Sequence, residues 1–130
     1  MDFTYPKREK LKSRKTIDSL FSEGQSVSKY PLRLVYVADK SDNQPISPLT
    51  TGVSVSKKYF KKAVDRNYFK RVLRETYRLN KHLLTENLEQ HFNIMLFYQT
   101  KDRLSYEEIN TKTVQLFEKF LTQIKKPSDT

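Results

Sequence analysis

The sequence predicts an α+β fold: a single-domain sandwich in which a mixed β-sheet carries helices on one face, in the order α-β-β-α-β-α. Three segments have the β-branched and aromatic composition of strands, and others repeat apolar residues at helical spacing. A chain of 130 residues can bury a core of its own, and it has no cysteine with which to form a disulfide. We therefore expect one domain over residues 1–130, with a flexible basic arm at 1–12 and a frayed tail at 126–130.

The first half of the chain supplies one short helix and two strands. Ser13 is a suitable N-cap for a helix predicted over about residues 14–23. Residues 32–37 read LRLVYV, a composition typical of a strand. A polar segment at 39–48 with two prolines predicts a loop, and the period-two alternation of 52–56 predicts the second strand.

The second half supplies a long helix, a buried strand and a final helix. We expect a helix over roughly residues 60–80 and a central strand over 92–98, whose apolar run includes Phe97 as a core residue. Ser105 and Glu108 have the spacing of a capping box. The helix that they open carries an apolar stripe made of Ile109, Thr113, Leu116, Phe117, Phe120, Leu121 and Ile124.

Charge is distributed unevenly along the chain. Residues 1–79 hold 18 Lys/Arg against 8 Asp/Glu, whereas residues 80–130 hold 7 of each, so the whole excess of +10 lies in the first part. A one-sided excess of this size indicates a binding face for a polyanion, for which nucleic acid is the leading candidate and an anionic membrane surface the lesser one. No apolar run reaches the length of a membrane span or follows the basic N-terminus as in a signal peptide, so we expect a cytoplasmic protein with no membrane partner.

The segment 57–78 concentrates this charge on one helix. It holds nine Lys/Arg against two acids. At about 100° per residue, Phe69, Val72, Leu73 and Thr76 share one arc, and the cations share a neighbouring arc. Like charges at every fourth position destabilise a helix, so a partner that neutralises them is a simpler explanation than a solvated surface.

The residues 66–75 of this helix, RNYFKRVLRE, resemble the signature of the bacterial ribonuclease P protein subunit. That signature is Arg-Asn-Arg, then Lys-Arg two residues later, then a further arginine. Tyr68 stands where the third signature residue is usually arginine. Upstream, 52–58 is similar to the family's strand leading into the helix, and Ile17, Leu20, Phe21, Gly24 and Ser26 resemble its first helix and the exit from it. The resemblance covers about residues 8–121.

The resemblance implies a left-handed βαβ crossover, as in some ribosomal proteins, and a role in removing the 5′ leader of precursor tRNA. Chemistry would belong to the ribonuclease P RNA and to the Mg²⁺ ions that it binds. One monomeric protein per RNA is expected, with no catalytic residue and no metal site of its own. The implied RNA-subunit contacts are Lys57, Lys58, Lys62, Arg66, Asn67, Lys70, Arg71, Arg74 and Arg78.

The resemblance also implies a cleft between the first helix and the sheet that holds the single-stranded leader. Stacking on aromatic rings beside cations suits an unpaired strand. The expected leader contacts are Lys10, Lys12, Ile17, Phe21, Arg33 and Tyr36. Either Val35 or Tyr36 could be the family's cleft residue on the strand.

Three other functions remain as alternatives. A ribosomal or other structural RNA-binding protein would have the same charge without the ordered helix motif. A stand-alone endoribonuclease would need a His/Glu/Arg constellation, whereas the two histidines, His82 and His91, stand apart from any such group. A DNA-binding regulator would need a recognition helix after a short turn, which the strand–basic helix–strand order disfavours.

Overall fold

A computed structural model describes residues 22, 24–38, 49–88 and 91–125. The strands are β1 (Gln25–Lys29), β2 (Leu32–Ala38), β3 (Leu49–Val55) and β4 (Phe92–Tyr98). The helices are α1 (Ala63–Asn80), α2 (His82–Thr85) and α3 (Tyr106–Lys125). Of the helix predicted over 14–23, only Ser22 is among the described residues. The basic arm at 1–12, the loop predicted at 39–48 and the tail at 126–130 also lie outside them.

The four strands form one mixed sheet in the order β1-β2-β4-β3. β2 pairs antiparallel with both β1 and β4, whereas β3 pairs parallel with β4. A parallel pair needs a crossover connection, and α1 and α2 supply it. The α+β class with a mixed sheet is thus confirmed, and the left-handed crossover stays a prediction.

Two elements were missing from the predicted order, the strand β1 and the short helix α2. β1 was missed because its sequence, QSVSK, has a single apolar residue, Val27, which is also its only buried one. Because β1 is an edge strand that pairs on one side only, a single buried apolar residue is enough to hold it against the core. The long helix, expected over roughly residues 60–80, runs from Ala63 to Asn80, and the short helix α2 follows it.

The main core lies between the sheet and the two long helices, which pack on the same face. Leu34, Ile94 and Leu96 on the central strands meet Phe69 and Phe117 from α1 and α3, and all five are almost completely buried. Side chains alternate between the faces of a strand, so their odd-numbered neighbours on β2 and β4 point to the opposite face. There Val35, Val37, Met95 and Phe97 form a second, smaller cluster.

Polar contacts fix the helices to each other and to the sheet. The Thr113 hydroxyl of α3 donates to the Thr76 hydroxyl of α1 at 3.1 Å. The predicted capping box is confirmed, since Glu108 N–H donates to Ser105 Oγ at 3.2 Å and Ser105 N–H donates to Glu108 Oε1 at 3.1 Å. At the far edge of the sheet, Lys119 Nζ of α3 donates to the Ser28 carbonyl of β1 at 2.7 Å.

Candidate nucleic-acid interface

Helix α1 separates a core side from a charged side as the sequence predicts. Phe69, Val72, Leu73 and Thr76 are buried, together with Tyr77. On the charged side Asn67, Arg71 and Arg74 are exposed, and Arg66, Lys70 and Arg78 are half-buried. We call these six residues the basic helix face.

Four exposed lysines surround the N-terminus of α1, namely Lys57, Lys58, Lys61 and Lys62. The N-terminus of a helix carries about half a positive charge from the aligned peptide dipoles, so cations are unfavourable there. Lys62 is the N-cap residue, with the extended backbone of a good cap (φ −82°, ψ 133°) but no side-chain hydrogen bond to the helix. These charges therefore destabilise the start of the helix unless an anion neutralises them.

Arg66 has a structural role that the sequence did not reveal. Its Nη1 donates to the carbonyl oxygens of Phe60 at 2.9 Å and Lys61 at 2.7 Å. The Phe60 ring stacks on Phe69 with centroids 4.7 Å apart, and Phe69 stacks on Tyr98 at 4.6 Å. Arg66 therefore holds the lysine-rich connection against the start of the helix.

The other cations of the basic helix face differ in their partners. Arg78 forms a salt bridge with Glu75, and this carboxylate raises the pKa of the guanidinium. Among the described residues no acid pairs with Lys70, Arg71 or Arg74. These three are the cations best placed to meet phosphates without first breaking an ion pair.

Tyr68 occupies the signature position usually held by arginine. Its side chain is 43% exposed and meets Phe69 edge-on, with the centroids 4.9 Å apart. The ring therefore presents an aromatic surface beside the exposed Asn67.

The structure corrects the expectation that Tyr36 lines a leader cleft. Tyr36 is 6% exposed and lies in the main core, edge-on to Phe120 at 4.7 Å. Its hydroxyl donates to Gln25 Oε1 at 3.1 Å and accepts from Gln123 Nε2 at 2.6 Å. Strand alternation places even-numbered residues of β2 against the helices, so the ring has no free face on which a base could stack.

Arg33 and Val35 lie on the other face of the sheet, away from α1 and α3. Arg33 Nη2 donates to Ser26 Oγ at 3.4 Å, and in the β2–β4 register Arg33 is directly opposite Phe97. Phe97 was expected in the core with Phe117, but it is half-buried in the second cluster with Val35 and Met95. The face on which Phe97 lies could not be predicted from the sequence, because β4 is apolar at both its even-numbered and its odd-numbered positions. Asn93 is the one polar residue on its second face.

Four of the expected leader residues, Lys10, Lys12, Ile17 and Phe21, lie outside the described part of the chain. The structure describes two of the expected leader contacts, Arg33 and Tyr36. Since Tyr36 lies in the core, Arg33 is the described residue that can still contact the leader. Val35 and Phe97 are its neighbours on the same face, one on the same strand and one across the pair.

The two histidines lie in different surroundings. His91 is buried, and its Nε2 lies 3.1 Å from Thr50 Oγ1 and 3.2 Å from Asn93 Oδ1. His82 is half-buried at the start of α2. Within residues 22, 24–38, 49–88 and 91–125, no three His, Asp or Glu side chains come together where a metal ion could bind. No helix in those ranges is long and apolar enough to cross a membrane.

Comparison with known proteins gives a consistent family likeness. The family model described as Ribonuclease P matches residues 5–121. The ribonuclease P protein component of Porphyromonas gingivalis is 44% identical over 88 residues, which cover 68% of this chain and 63% of that protein. The matched part is thus less than two thirds of that relative's length. The ribonuclease P protein component of Dictyoglomus thermophilum is 31% identical over 117 residues, covering 90% of this chain and 92% of the relative.

Solved structures share the fold at lower identity. The ribonuclease P protein of Staphylococcus aureus superposes with a TM-score of 0.68 at 19% identity, covering 86% of this chain and 94% of the other. The protein from Thermotoga maritima gives a TM-score of 0.65 at 24% identity, covering 85% and 96%. At these identities the likeness establishes the architecture of the chain.

Proposed function

Because this chain belongs to the ribonuclease P protein family, we propose that it is the protein subunit of a ribonuclease P ribonucleoprotein. In this role it binds the catalytic RNA and precursor tRNA and assists endonucleolytic removal of the 5′ leader. The protein is proposed to be monomeric, with one copy per RNA, and to work in the cytoplasm.

The observation that carries the proposal is a group of cations at α1 that no described acid neutralises. Four lysines surround the positive end of the helix dipole, and Lys70, Arg71 and Arg74 continue the charge along one side. A folded RNA presents phosphates at fixed positions, which suits a rigid helix bearing cations at fixed spacing. The proposed RNA-subunit contacts are therefore the basic helix face and the lysines before it.

A second surface is proposed for the leader. Arg33 and Phe97 lie half-buried on the sheet face opposite the long helices, with the buried Val35 beside them. A cation beside an aromatic ring is the combination of side chains that single-strand binding surfaces use. Stacking does not depend on the base sequence of the leader, which suits an enzyme whose substrates are many different precursor tRNAs.

Catalysis is proposed to reside in the RNA subunit, with Mg²⁺ bound mainly by that RNA as the cofactor. The contribution of the chain is to bind and orient two RNAs. A ribosomal or other structural RNA-binding role is the weaker alternative, because the family match spans most of the chain.

The proposal is tested by cleavage of a precursor tRNA at low Mg²⁺ with the protein alone, with ribonuclease P RNA alone, and with both. We expect no cleavage with the protein alone, slow cleavage with the RNA alone, and fast cleavage at the 5′ end of the mature tRNA with both. Cleavage by the protein alone would indicate a stand-alone nuclease. RNA binding without any effect on cleavage would favour the structural alternative.

A further inference from the structure

Arg103 brings a cation from the electrically neutral part of the chain to the start of the basic helix. It belongs to the connection between β4 and α3, yet its Nη1 donates to Asp65 Oδ1 in the first turn of α1 at 3.1 Å. Its guanidinium carbon lies 5.4 Å from the centroid of the Phe69 ring and 5.8 Å from that of Phe60. These distances are within the range of a cation–π contact.

Arg103 and Arg66 therefore contact the same aromatic residue, one at its ring and one at its backbone carbonyl. Arg66 bonds the Phe60 carbonyl, and Arg103 lies over the Phe60 ring. The cations at the N-terminus of α1 thus continue past the helix onto a second segment of the chain. In the sequence, more than 20 residues lie between the basic region at 57–78 and Arg103.

The connection that carries Arg103 is firmly held. Tyr98 donates its hydroxyl proton to the Asp102 carbonyl and accepts from the Leu104 N–H at 3.0 Å. On the other side, Tyr30 shares a 2.8 Å hydrogen bond with Thr100. A cation on such a segment loses little conformational freedom when a ligand binds to it.

Arg103 also keeps most of its hydrogen-bonding capacity. Its side chain is 57% exposed, whereas that of Asp65 is 28% exposed. A guanidinium has five N–H donors, and among the described residues its hydrogen bond is to Asp65 alone. The ring contacts orient the plane of the guanidinium, and a planar fork of donors matches the two oxygens of a phosphate.

We propose that Arg103 is a further contact of this protein to the phosphate backbone of the ribonuclease P RNA, oriented for that contact by Asp65 and the rings of Phe60 and Phe69. The competing interpretation is a salt bridge that only neutralises Asp65 within a basic region. This inference rests on the proposed function, since it names another residue of the same RNA interface.

A double-mutant cycle separates the two interpretations. The affinity of the full chain for its ribonuclease P RNA is measured against salt for wild type, Arg103→Gln, Asp65→Asn and the double variant. We expect Arg103→Gln to weaken binding about six-fold at 0.1 M salt and to reduce the log–log salt slope by about 0.7–0.9, as expected when one phosphate is no longer neutralised. The same reduction should occur in the Asp65→Asn background.

Two controls accompany the cycle. Lys119→Gln removes an equal charge beside β1, at the sheet edge away from α1, and should leave both the affinity and the slope nearly unchanged. Thermal melting of every variant shows whether it is folded at the assay temperature. Arg103→Lys keeps the charge but not the planar fork, and it should retain the slope while losing part of the affinity.

If Arg103→Gln has no effect once Asp65 is neutral, Arg103 only masks that carboxylate and the inference is overturned. An unchanged salt slope in Arg103→Gln would overturn it as well. These results would leave the proposed function intact as long as wild type binds the RNA with a steep salt dependence. If wild type itself fails to bind, it is the proposed function that fails.

Discussion

Replacing Lys62 with serine should make the protein more stable and a weaker RNA binder. Lys62 is the N-cap of α1 and already has the extended backbone that a capping residue needs. A serine hydroxyl there can accept from the N–H of Val64 or Asp65, which contributes about 1 kcal/mol relative to a residue that cannot cap. Removing a cation from the positive end of the dipole adds about 0.3–1 kcal/mol. The free energy of unfolding should therefore rise by about 1–2 kcal/mol. For a chain of this size, each kcal/mol corresponds to an increase of roughly 3–5 °C in Tm.

The same substitution removes one proposed phosphate contact. Affinity for the ribonuclease P RNA should fall about six-fold at 0.1 M salt, and the log–log salt slope should become shallower by about 0.7–0.9. Lys61→Ser is the matched control, because it removes the same charge from an exposed position one residue before the cap. It should weaken RNA binding to a similar extent without the gain from capping. A Lys62→Ser protein that melts earlier, or that keeps the affinity and slope of wild type, would refute this reasoning.

Three other predictions follow from the contacts described above. Arg66→Lys should lower the free energy of unfolding by about 1–3 kcal/mol, because it loses the two carbonyl bonds, while the salt slope of RNA binding is retained; an unchanged denaturant midpoint would contradict the structural role of Arg66. Phe97→Ala should reduce the preference of the assembled complex for precursor over mature tRNA. Tyr36→Phe should lower Tm without changing that preference, because it removes a hydrogen bond inside the core. If Tyr36→Phe reduced the preference and Phe97→Ala did not, Tyr36 would belong to the leader site after all. Hydrogen bonds from Ser105 lower the pKa of Glu108, so its ionised form contributes stability above its ordinary pKa of 4.5, and this contribution is lost as pH falls through the lower folded-state value. Glu108→Gln should therefore lower Tm at pH 7 and much less at pH 3, and an equal loss at both pH values would exclude the charged capping box as the cause.

Hydrophobic periodicity predicted the elements that bury a large face. Helices α1 and α3 and strands β2, β3 and β4 all have such a face, and their core residues follow the expected spacing. Strand β1 could not be predicted in this way, because an edge strand with one buried residue has almost no pattern. The family resemblance was confirmed by the family model over residues 5–121 and by relatives that are 44% and 31% identical.

The candidate site was predictable where it lies on one helix and not where it depends on tertiary contacts. The charged side of α1 follows from its sequence, since helical geometry alone separates Lys70 and Arg74 from the core. The bonds of Arg66 to backbone carbonyls and the approach of Arg103 to Asp65 join segments whose separation in the sequence gives no signal. Assigning Tyr36 and Phe97 to opposite faces required the register of the sheet, which an apolar strand such as β4 does not show.

The most direct test of the central claim is the salt dependence of RNA binding when Lys70, Arg71 and Arg74 of the basic helix face are neutralised together. The variant Lys70→Gln/Arg71→Gln/Arg74→Gln should fold with a Tm close to that of wild type, because these side chains form no salt bridge with a described acid. Its log–log slope for the ribonuclease P RNA should be shallower than that of wild type by about 2–3, at about 0.7–0.9 for each phosphate that is no longer neutralised. A folded triple variant with the wild-type slope would show that the RNA binds elsewhere and would contradict the account.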